Sequence, residues 1–151
     1  MEDDMKVHLY DRAVDLYLHE DKLNWVKLNN LFYVSGGLLA ILGFTLDLEG
    51  GLFPLTSSDA VLVLAVSAGG LLTCFVFGVA LHYGVKYLGT RKEAVMRLER
   101  CLTDDRNCWV VTPRSGDGGG LRTSPTSMLL RLTPYLMAAG WSSLAVLALL
   151  A

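Results

Sequence analysis

The chain is 151 residues long, enough for one domain, with 52% hydrophobic residues, 19% charged residues and a mean hydropathy of +0.41. A soluble domain carries about a quarter charged residues, so this composition excludes disorder and points to a membrane. The net charge of −2 supplies no global basic field for nucleic acid, and no direct DNA binding is expected.

Residues 1–30 hold eleven charged side chains, and the acidic start Met1-Glu2-Asp3-Asp4 is unlike the basic opening of a signal peptide. From Lys6 onward the spacing is helical. Leu9, Ala13, Leu16, Glu20 and Leu23 follow one stripe, with Val7, Tyr10, Val14 and Tyr17 beside it. Residues 6–29 therefore read as an amphipathic helix that feeds directly into the first span. That span, Leu31 to Leu46, carries no charge but is slightly short for a hydrocarbon layer about 30 Å thick. Trp25, Phe32 and Tyr33 sit near its start, where interfacial aromatics are expected. Asp47 and Glu49 close it, and Gly50-Gly51 with Pro54 predict a turn.

The second span, Ala60 to Val85, contains no Asp, Glu, Lys or Arg. Beyond it, RKEAVMRLERCL (91–102) keeps helical spacing through Ala94, Val95, Leu98 and Leu102, and is expected to prolong the span into the cytoplasm. Residues 112–125, with SGDGGG inside, read as a loop. The third span, Ser127 to Ala151, has one charge, Arg131, placed to snorkel, and Pro134 within its first two turns. The expected architecture is all-α: a single membrane domain over residues 1–151, with three transmembrane helices and a cytoplasmic amphipathic layer.

All thirteen basic residues avoid the loop between spans one and two. Four precede the first span, and nine lie between Lys86 and Arg131. The positive-inside rule places the N-terminus and residues 86–126 in the cytoplasm, with 47–59 and the C-terminus outside.

Lipid supplies no hydrophobic drive between helices, so small residues mark packing faces. Gly36, Ala40 and Gly43 share nearly one face of the first span, and Ala138, Ser142 and Val146 line the third. The second has Ala65 with Gly69, and Gly70, Cys74 and Gly78 at four-residue spacing. These faces serve either packing within one copy or contacts between copies. Their number favours a homo-oligomer centred on the second span, with His82 at its cytoplasmic mouth.

Chemistry is sparse. His8 and His19 lie on a charged helix, and His19-Glu20-Asp21 point in different directions, which suits no metal. Cys101 and Cys108 lack the partners a zinc site needs, and Cys74 reads as a packing residue. SGDGGG follows no strand and precedes no Gly-Lys-Ser/Thr, so it is not a phosphate loop, and Asp104-Asp105 read as a helix end. Neither cofactor nor catalytic residue is expected. The one exception to weigh is Arg12 and His19, whose spacing fits the loose Arg–His pattern of HEPN-type ribonucleases, with Arg on phosphate and His as acid–base group.

The segment HEDKLNWVKLNNLFYVSGGLLAILGF (19–44) resembles small bacterial inner-membrane proteins of the RipA-like octameric membrane protein family. The resemblance implies a helical, homo-oligomeric, octameric and non-enzymatic membrane protein. Small membrane accessories of CRISPR and other anti-phage systems share the outline. The expected function is a membrane scaffold or pore-type effector in such a defence system. The alternatives are an anchor that recruits a soluble cytoplasmic defence protein through the basic 86–126 segment, and a ribonuclease using Arg12 and His19.

Overall fold

The computed structural model describes residues 2–46, 57–102 and 125–150. These form three helices: α1, Glu2–Thr45; α2, Ser57–Leu102; and α3, Pro125–Leu150. No strand occurs among the described residues, and each helix is long and apolar enough to cross a membrane. The turn at 47–56, the SGDGGG loop, Asp104-Asp105 and Cys108 lie outside the described residues.

The amphipathic helix and first span are one uninterrupted 44-residue helix, and the second span with its polar extension is one of 46 residues. At 1.5 Å per residue, α1 and α2 each run for well over 60 Å, about twice the hydrocarbon thickness, whereas the 26 residues of α3 fit the bilayer. About half of α1 and the last third of α2 therefore form a two-helix arm beyond the membrane-embedded part.

Local chemistry explains the helix ends. Asp59 lies in the first turn of α2 and Arg100 in its last, matching the dipole at both termini. Pro125 opens α3, where its missing N–H leaves no intrahelical bond unmade. Because α3 begins at 125, Pro134 sits in the third turn rather than the first two. The helix stays continuous there, and Pro134 is buried against α2. Thr73, Thr133, Ser142 and Ser143 each donate their hydroxyl to the backbone carbonyl four residues back at 2.9 Å, which satisfies polar atoms where no water is at hand.

α2 is the hub, packing against both α1 and α3, which scarcely meet each other. The result is an open layer. On α1 the seam toward α2 runs through Asn24, Leu28, Leu31, Ser35 and Leu42, all buried, with Leu38 partly buried between them. Alternating steps of four and three residues are a coiled-coil repeat. The helix is unbroken, so the same phase continues through half-buried Tyr10, Val14, Tyr17 and Asp21. The stripe of Leu9, Leu16 and Leu23 consequently faces away from α2 and is exposed. The membrane half fixes the phase of the seam, and the leucines fall on the opposite side of the helix.

Two apolar clusters hold the layer together. One joins Leu31, Leu42, Val63, Cys74, Trp141 and Ala148 across all three helices, and the other joins Leu28, Leu81, Val85 and Leu130.

Candidate functional site

The small-residue stripe of α2 is filled from within the chain. The indole of Trp141 lies directly over Gly70, so closely that a Cβ there would collide with its ring. Pro134 covers Gly78, with its Cβ 3.4 Å from where a Gly78 side chain would begin, and Cys74 is buried between the two. Gly70, Cys74 and Gly78 form the groove that receives α3.

The small-residue face of α1 is empty by contrast. Gly36, Gly37 and Gly43 have nothing within 4 Å of a notional Cβ, and Ala40 is exposed beside them. This face lies on the side of α1 away from the buried seam.

A second glycine contact lies where the arm leaves the three-helix part. The Asn24 side chain rests on Gly84, and a Cβ at Gly84 would stand 2.9 Å from Asn24 Cγ and 3.2 Å from Lys27 Nζ. Asn24 is fully buried; Lys27 Nζ donates to its Oδ1 at 3.5 Å, while its Nδ2 finds no partner. Ser35 and Ser67 are likewise buried with hydroxyls that have no partner. Such groups cost free energy when desolvated.

Further along the arm, Glu99 is buried near Tyr10. Burial, then the charges of Glu99 and Asp11, raise the Tyr10 phenol above its ordinary value of 10.0. Burial followed by Asp21 does the same to Tyr17.

The remaining candidates are surface groups. His82 is exposed and makes an edge-on ring contact with Tyr83, centroids 5.8 Å apart. Arg12 and His19 are both exposed on the outward side of α1, seven positions and therefore about 10 Å apart along the axis. Among the described residues no group of three or more His, Cys, Asp or Glu could hold a metal. The arrangement offers packing faces rather than a reaction centre.

Asn24, Gly84, Trp141, Ser35, Ser67 and Glu99 were not evident from the sequence alone. Extending the heptad of the first span backward would have found Asn24, since it falls in line with Leu31 and Leu38.

Long apolar helices, small residues at the contacts and hydroxyls turned onto their own backbone define a polytopic α-helical membrane protein. The chain belongs to the Octameric membrane protein family (8xMP), whose model matches residues 7–150. That is a family of membrane proteins, not of enzymes. No curated protein and no solved structure matches the chain.

Proposed function

We propose that this chain is one subunit of a homo-octameric ring in the bacterial inner membrane. The ring acts as a scaffold or pore-type effector, with the α1–α2 arm and the N-terminus in the cytoplasm and the C-terminus outside. The observation that carries this reading is the open glycine face of α1. Gly36, Gly37 and Gly43 give a helix backbone room to approach, and none of the described residues uses that room. The family's octameric description supplies the occupant, further copies of the chain. The absence of basic residues from 47–59 supports the orientation. An accessory role in anti-phage defence fits the general outline of such small membrane proteins.

Gly36→Leu combined with Gly43→Leu tests the reading. Leucine is a better helix former than glycine, and both positions are open in the single copy, so the isolated subunit gains rather than loses helix stability. Native mass measurement of the detergent-solubilised variant should show the octamer broken into smaller species. An unchanged octamer would refute the α1 face as the contact between copies.

A further inference from the structure

We propose that His82 and Lys86 of α2, with Arg131 of α3, hold the phosphate of an anionic phospholipid whose acyl chain lies along Val79, Phe75 and Tyr135. The site sits where the α1–α2 arm leaves the membrane. It requires helices that span a bilayer but neither the ring nor an orientation, and so goes beyond the function proposed above.

The contact between Gly78 and Pro134 fixes the placement. α2 and α3 run antiparallel, since Gly70 meets Trp141 and Gly78 meets Pro134. Four residues further along α2 and three residues back along α3 lies the next turn of the same two faces. Those positions are His82 and Arg131, and Lys86 follows His82 one turn later. Leu81, Val85 and Leu130, the residues just before these three, are buried in one cluster. Arg131 is therefore nearly level with His82, and the three positions span about 8 Å of height at 1.5 Å per residue. All three side chains are exposed.

Depth selects a lipid headgroup. After Arg131, α3 runs nineteen residues without a charge to Leu150, about 29 Å against a hydrocarbon layer of about 30 Å. From His82 back to Ala60, α2 is free of Asp, Glu, Lys and Arg. Arg131 and His82 thus stand at the boundary between acyl chains and headgroups, with Lys86 about 6 Å further out. On the membrane side of His82, Val79 and Phe75 are exposed on its face of α2. Tyr135 is exposed one turn below Arg131. Cations above an exposed apolar strip match an amphiphile with a negative head.

Charge selects an anion. Residues 22–46, 60–92 and 125–150 contain six Lys and Arg and no Asp or Glu. Among the described residues no carboxylate pairs with His82, Lys86 or Arg131. The first carboxylates beyond, Asp21 and Glu93, act on Tyr17 and Arg97 instead. An arginine can grip two phosphate oxygens at once, and a lysine adds a compact ammonium.

The test is native mass measurement of the full chain in detergent, titrated separately with phosphatidylglycerol and phosphatidylcholine. Phosphatidylglycerol should be retained at least about fivefold more strongly, the size expected for one basic contact near a headgroup. Lys86→Gln combined with Arg131→Gln should abolish that preference, and Arg131→Lys should keep it. Arg91→Gln combined with Lys92→Gln removes as much charge, further out on the arm, and should leave the preference intact. Equal retention of the two lipids by the unaltered protein would overturn the site. An equal loss in both double variants would replace it by diffuse surface charge. Displacement of phosphatidylglycerol by an equal concentration of inorganic phosphate would make the ligand a free anion and overturn the lipid assignment.

Discussion

At Gly84 and Gly70 the absence of a side chain is a structural requirement, because another residue occupies the space. A methyl group at Gly84 would meet the Asn24 carboxamide, and one at Gly70 would meet the indole of Trp141. Overpacking of this kind costs about 1–3 kcal/mol. Gly84→Ala should accordingly lower the thermal midpoint of the solubilised protein, and Asn24→Ala in the same chain should restore part of the loss. If the two substitutions simply add, the contact between Asn24 and Gly84 is not what sets the approach of α1 to α2.

Tyr10 gives a pH-dependent test of the arm. Its phenol is raised by burial, then by Glu99 and Asp11, so the folded arm holds the phenolic proton more tightly than the unfolded chain does. The stability linked to that proton is complete below the ordinary value near 10.0 and is lost as pH rises through the raised one. Circular dichroism above pH 10 should show the arm loosening, and Tyr10→Phe should move that loss to higher pH. Identical profiles for the two proteins would separate Tyr10 from the seam.

At the scale of the helices, the sequence was informative about where apolar runs begin and end and less so about which side of each helix meets which neighbour. Two charge-free runs and a third with the single charge Arg131 predict three spans, and helical spacing beyond Lys86 predicts the extension of α2, because both depend on local hydropathy and period. The seam of α1 depends on phase instead. In the arm, Tyr10, Val14 and Tyr17 and the stripe of Leu9, Leu16 and Leu23 are both plausible apolar lines when read from residues 6–29 alone. Only the unbroken helix, with Leu28, Leu31 and Leu42 against α2, chooses between them. The groove at Gly70, Cys74 and Gly78 is legible as a small-residue stripe, but its occupant is not. Trp141 lies far along the chain, and local spacing carries no information about such a partner. This assignment makes Gly70→Leu differ from Gly36→Leu. The first should open the α2–α3 groove and make single subunits sensitive to protease, while the second should leave the subunit sound and alter only its assembly.

For the whole molecule, orientation is the proposal with the simplest test. Cys101 lies on the arm and should react with membrane-impermeant maleimide only after the cytoplasmic side is opened. A Ser57→Cys variant, at the start of α2, should react in intact spheroplasts. The reverse pattern would invert the protein in its membrane.

The open layer bears on how the protein is made. Since α1 and α3 scarcely touch, the packing of α1 on α2 does not wait for α3. Chains emerge from the ribosome N-terminus first. The α1–α2 hairpin, with its arm and its Asn24–Gly84 contact, can take its final form while the last helix is still being synthesised. Trp141 then enters the Gly70 groove once α3 has been made. Until that moment the hairpin exposes a vacant groove along α2, which makes the interval before α3 arrives the time when quality control in the membrane can tell a chain without α3 from one that has it.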